Sequence, residues 1–128
     1  MERVTGIGGF FFSTEDPGRA AAWYSEHLGV DPPPASYETS SWWQQPGPTV
    51  FAGMSGDAEH FGGGGRSWSV NFRVGDLDAM VAQLRGAGIP VDVDPESYPN
   101  GRFASLRDPD GNVVQLWQPE GADSRGPS

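Results

Sequence analysis

Two histidines, His27 and His60, together with 17 aspartates and glutamates, are the side chains of this 128-residue chain able to bind a divalent metal ion strongly, because it contains no cysteine. The lack of cysteine also removes disulfides, thiolate nucleophiles and thiolate metal sites together. His27 falls where a helix should end, and there a cation complements the helix dipole, so it reads as structural. His60 stands beside Asp57 and Glu59 in a glycine-rich stretch. Such a loop is too mobile for precise ligation and reads as solvated. No histidine is placed for general-base work, and Ser69 and Gln115 are poor substitutes. Arg73 is the cation best placed to receive a carboxylate, with pairing to one of the acids at a pocket mouth as the alternative. Five tryptophans add a different kind of chemistry. Trp42 and Trp43 are neighbours, so on a strand they must face opposite ways and only one can be ordinary core packing. The other lines an aromatic groove suited to a flat or cationic organic molecule, or a dimer seam.

The elements that position these residues are short. Nineteen glycines and 12 prolines in a chain of 36% hydrophobic residues give one domain of mixed α and β structure with many turns. Ile7 to Ser13 reads as a strand. Asp16 then caps a helix that has Pro17 at its first position, runs through Arg19 to His27 and stops at Gly29. Tyr37 to Thr39, Trp42 to Gln44 and Val50 to Ala52 are short strand candidates. The glycine-rich stretch from Ser55 to Arg66 joins two halves. Ser67 to Val74 is the next strand; Asp76 caps a helix through Arg85, and Gly86-Ala87-Gly88 ends it. Ile89 to Val93, Gly101 to Arg107 and Val113 to Gln118 are three further strands, the last two joined by the turn Asp108-Pro109-Asp110-Gly111-Asn112. Sixty residues separate Phe12 from Phe72 and Asp16 from Asp76, so the two strand-to-helix junctions repeat. The segment 120–128 is expected to be a disordered tail.

Alternation assigns faces. Trp68, Val70, Phe72 and Val74 should pack on the helices, leaving Ser69, Asn71 and Arg73 on the opposite face. Gln115 and Trp117 share a side of the last strand and are assigned to a pocket, as is Phe11 by the repeat. Which of Phe11, Trp43, Phe51, Met54, Phe103 and Ser105 turn inward depends on strand register and stays open. A net charge of −9 repels phosphate backbones and anionic headgroups, which argues against nucleic-acid and membrane partners. No opening apolar segment or membrane-length run is present, and a cytoplasmic protein is expected.

The stretch Ile7 to Phe12 leading to Asp16-Pro17 and Trp23-Tyr24-Ser25-Glu26-His27-Leu28-Gly29 resembles the first module of glyoxalase/bleomycin-resistance/dioxygenase proteins, the vicinal-oxygen-chelate superfamily. Asn71 to Val74 meeting Asp76-Leu77-Asp78, and Gly101-Arg102-Phe103 leading to Asp108 to Asn112, resemble its second module. The resemblance implies an α+β fold in which two paired βαβββ modules form a curved mixed sheet around a cavity. Module one would be 1–56, the connector 57–66 and module two 67–119, within one domain over 1–119. Metal-dependent members hold a divalent cation on the first strand of each module and on the last strand. Residue by residue, those positions here are Gly9, Ser69 and Gln115, a poor ligand set, so no metal and no cofactor are expected. Together with the acidic balance and the tryptophans, the missing ligands lead to the expectation of a protein of this fold that binds a small aromatic or cationic metabolite or antibiotic through Phe11, Trp43, Ser69, Asn71, Arg73, Gln115 and Trp117. Its rival is an enzyme of the same family, a lyase, isomerase or dioxygenase with a degenerate metal site. A homodimer is implied as well.

Overall fold

The computed structural model describes residues 1–127. Helix α1, Pro17–Leu28, begins where the Asp16 carboxylate accepts the Arg19 N–H at 3.1 Å. It ends at Gly29, whose left-handed φ of 72° lets the following Val30 N–H reach the Tyr24 carbonyl at 3.2 Å. Helix α2, Leu77–Gly86, repeats the N-terminal device, with Asp76 accepting the Ala79 N–H at 3.0 Å. Both helix starts are therefore the ones the repeated aspartate signals.

Four strands follow from the second half of the chain: β1 Val70–Arg73, β2 Asp92–Val93, β3 Gly101–Arg107 and β4 Val113–Pro119. They lie in the order β1-β4-β3-β2, with β1 parallel to β4 and the other pairings antiparallel. The α+β class and the mixed sheet thus hold, and the sheet is open. One face supplies the core. Val114 and Leu116 are fully buried, Ala104 and Leu106 nearly so, and they pack with Tyr24 of α1 and Leu77, Val81 and Leu84 of α2.

The first half contributes α1 and no strand. Ile7 to Ser13, 37–39, 42–44 and 50–52, expected as strands, run without ladder partners, and the expected strands 67–74 and 89–93 shorten to Val70–Arg73 and Asp92–Val93. A segment of three to seven residues has no stability as a strand until a neighbour takes up its N–H and C=O groups, so a β-like composition alone does not make one. The repeat is therefore realised at the junctions into the two helices and not in the sheet. Within 120–128, where a disordered tail is expected, Gly121–Ser124 form a 3-10 turn, and Ser128 lies outside the described residues.

The halves are clasped by a buried polar knot. Tyr24 donates its hydroxyl to Asp108 Oδ2 at 2.7 Å, Asn112 Nδ2 donates to the same oxygen at 2.9 Å, and the backbone N–H groups of Asp110 and Asn112 reach Oδ1 at 3.0 and 2.8 Å. Thr14 Oγ1 adds a bond to Asp110 Oδ2 at 2.7 Å. Burial, and then the hydrogen bond to Asp108, push the Tyr24 phenol well above the ordinary range.

Candidate ligand-binding face

The sheet face turned away from the helices is ordered in rows, because residues in register on neighbouring strands point to the same side. Asn71 of β1 lies opposite Gln115 of β4, Gln115 opposite Ser105 of β3, and Ser105 opposite Asp92 of β2, so one polar row crosses all four strands. The next row is Arg73, Trp117 and Phe103. Asn71 Nδ2 donates to Gln115 Oε1 at 2.7 Å, which joins two of the sequence-assigned site residues directly.

Arg73 does something the sequence did not indicate. Its guanidinium meets neither an acid nor an open pocket: Nη2 donates to the Gln45 carbonyl at 2.6 Å, and Nη1 to the Pro48 carbonyl at 2.7 Å and Thr49 Oγ1 at 3.1 Å. Five donors on a planar fork suit a loop that offers several oxygens. Gly47 lies against this fork, where a Cβ would come within 2.6 Å of Arg73 Nε. The segment 45–49 is thereby held at the edge of the face.

Trp117 lies on the assigned side but is only 3% exposed. Its indole N–H donates to the Asn100 carbonyl at 2.9 Å, and Phe103 stacks on it with ring planes 3° apart and centroids at 6.1 Å. Tyr98 meets Phe103 edge-on at 5.9 Å. The aromatic surface offered by the sheet is accordingly that of Phe103 and Tyr98, with Trp117 as their support. Ser69 is half-buried just before β1. Phe11 and Trp43 are not brought to this row; they stand 92% and 84% exposed on the first half.

Ser105, Phe103 and Asp92 complete the face and were not resolvable from sequence. The signal was present in the five-residue turn 108–112, whose closing bond from Asp108 N–H to the Asn112 carbonyl at 3.0 Å fixes the β3–β4 register. Strand β2 lies inside the expected Ile89 to Val93, but two residues give too little alternation to assign the side that Asp92 faces.

The residues at the three metal-ligand positions do not fit a divalent cation. Gly9 has no side chain, Ser69 offers a neutral hydroxyl, and the Gln115 amide oxygen already accepts from Asn71. His27 packs against Trp23 with ring centroids 5.6 Å apart at the end of α1, and His60 is exposed in the 3-10 turn Glu59–Phe61. Among the described residues no three histidine, aspartate or glutamate side chains are grouped to hold a metal. None of the described helices is long and apolar enough to cross a membrane.

Comparison with known proteins agrees with this architecture. Residues 6–116 match the model of the Glyoxalase/Bleomycin resistance protein/Dioxygenase superfamily. Over 114 residues the chain is 32% identical to proteins of Mycobacterium bovis and Mycobacterium tuberculosis named "Putative glyoxylase CFP32"; the match takes in 83% of this chain but only 41% of theirs, so it spans about two fifths of these relatives. The crystal structure of TnmS3, an antibiotic binding protein from Streptomyces sp. CB03234, is similar with a TM-score of 0.60 and 26% identity, over 94% of this chain and all of that one. The family model covers most of the sequence, and the chain belongs to the glyoxalase/bleomycin resistance protein/dioxygenase superfamily.

Proposed function

We propose that this protein binds a small organic molecule, aromatic or cationic, on the polar and aromatic face of its sheet, and does so without a metal. The observation that carries this reading is the hydrogen bond that Asn71 Nδ2 donates to Gln115 Oε1: the position at which metal-dependent members carry a carboxylate is here a neutral side chain engaged with its neighbour. Phe103 and Tyr98 beside it supply flat apolar surface, and the net charge of −9 favours cations in the surrounding field. The likeness to TnmS3, an antibiotic binding protein, supports drug capture as the sharpest form of the reading. Calorimetric titration with cationic glycopeptides and planar aromatic compounds tests it; binding of none of them removes it.

A second reading has its own support. The mycobacterial relatives are named as glyoxylases, so an enzyme with a degenerate metal site is the competing class. Turnover of the methylglyoxal–glutathione hemithioacetal, abolished by a chelator, would establish it in place of simple binding.

We further propose a homodimer. Phe11, Trp43, Val50 and Phe51 are each at least 74% exposed, all on the half that forms no strand, and β1 has an unpaired edge. Exposed aromatic side chains and an open strand edge are the features that a second copy would cover. Sedimentation velocity at micromolar concentration reads the mass directly, and a lone 13.7 kDa species would refute the dimer.

A further inference from the structure

We infer that the polar row reads an imide- or carboxamide-type edge, a hydrogen-bond donor placed beside an acceptor on a planar ring, and that Asn71 and Gln115 form the reading pair. This ligand class rests on the binding function proposed above and makes it specific. Two side-chain amides joined by one hydrogen bond leave a definite remainder. Asn71 Nδ2 spends one N–H on Gln115 Oε1 at 2.7 Å, which leaves Asn71 Oδ1 as the unengaged acceptor atom of the pair and Gln115 Nε2, with the second Nδ2 hydrogen, as donors. Turning both amides over exchanges the roles and leaves the same complement, one carbonyl and one NH₂. A neutral pair that offers both an acceptor and donors matches a group with an N–H next to a C=O; it brings no positive charge to hold a carboxylate, and a simple hydrocarbon would leave its polar atoms unmet.

The neighbours favour a ring attached to that edge. Ser105 is in register with Gln115 on the other side and extends the polar row by a hydroxyl that donates or accepts. One row further along the strands, Phe103 lies face to face on Trp117, so apolar ring surface begins where the polar row ends. A bicyclic or tricyclic ligand with its polar edge over Asn71 and Gln115 would bring its ring system toward Phe103. Asn71 is exposed and Gln115 half-buried, so the pair can be approached without disturbing the core.

The test is calorimetric titration of the full chain with 1,8-naphthalimide and with N-methyl-1,8-naphthalimide, which differ by the single donor, and with 9-aminoacridine, an aromatic cation without a carbonyl. Naphthalimide is expected to bind about tenfold more tightly than its N-methyl derivative, as one well-made hydrogen bond allows. Asn71→Ala and Gln115→Leu should each reduce that preference to about twofold or less, the readout being the ratio between the two imides within each variant. The exposed Asn71→Ala variant serves as the second probe should Gln115→Leu perturb the sheet, and the thermal midpoint of each variant checks its fold. Equal binding of the two imides, or a preference that survives both substitutions, overturns the proposal and leaves the binding function intact. Binding of 9-aminoacridine without either imide overturns it in the same way. If none of the three binds, the proposal falls, and the glycopeptide titrations decide whether the binding function falls with it.

Discussion

Tyr24 and Asp108 are the residues on which the joining of the two halves most depends. Removing the Tyr24 hydroxyl takes one of two donors from the buried Asp108 Oδ2 and leaves only Asn112 Nδ2, so Tyr24→Phe should cost about 1–2 kcal/mol, a midpoint lower by roughly 4–8 °C. The pH dependence has a definite sign. The phenol is raised above its ordinary value of 10.0 in the folded state, so the folded chain holds that proton when the unfolded chain has lost it. Its contribution is fully present below pH ~10 and is lost as pH rises beyond that value. Denaturant titrations between pH 9 and 11.5 should therefore show wild type losing stability more steeply than Tyr24→Phe; parallel slopes would contradict the assignment. Gly101 makes a second prediction at this scale. Its φ is 137°, and a Cβ there would meet the Gln118 carbonyl oxygen and come within 2.7 Å of Trp117 Nε1. Gly101→Ala should destabilise by on the order of 3 kcal/mol, seen as a reduced denaturation midpoint with the fold retained at low temperature.

At the scale of elements, the sequence carried the parts with strong local signals. Asp16-Pro17 with Gly29, and Asp76 with the glycines after Arg85, mark both helices within a residue or two of their observed ends. The five-residue Asp-Pro-Asp-Gly-Asn turn marked the β3–β4 hairpin, and β3 spans the expected Gly101 to Arg107. What was not legible depended on distant partners. The first-half strand candidates have suitable compositions but no ladder, and Arg73 binds oxygens 24 to 28 residues away that no local pattern points to. The same contact gives an element-scale prediction. Arg73→Lys replaces a fork satisfied by three oxygens with a single ammonium, so the 45–49 segment should loosen. Hydrogen exchange of residues 42–51 should quicken severalfold in the variant while α2 and β4 stay unchanged; an unaltered rate would show that the segment is held by something other than the guanidinium.

For the whole molecule, the asymmetry between the halves is the dominant fact. The second half builds a four-stranded sheet with a buried core, whereas large exposed apolar side chains are concentrated on the first. If a second copy covers them, Phe11→Ser combined with Phe51→Ser should shift the sedimentation coefficient to that of a monomer and leave the helical content of the far-ultraviolet spectrum in place. The candidate site was legible in part for a related reason. Asn71 and Gln115 were assigned by alternation and do meet, while Phe11 and Trp43 belong to the half whose sheet pairing is missing, where alternation has no sheet to refer to.

As proposed, the sheet face binds an organic molecule and needs no metal. Thermal unfolding of chelator-treated protein, alone and with Mn²⁺, Fe²⁺, Co²⁺, Ni²⁺ or Zn²⁺, or with a planar aromatic cation, tests it most directly. A ligand at about a hundred times its dissociation constant adds roughly 2.7 kcal/mol, a midpoint shift on the order of 10 °C for a domain of this size. Such a shift is expected with the aromatic cation and none with any of the metals. A shift of that size with a divalent metal, and none with the organic ligand, would contradict the claim.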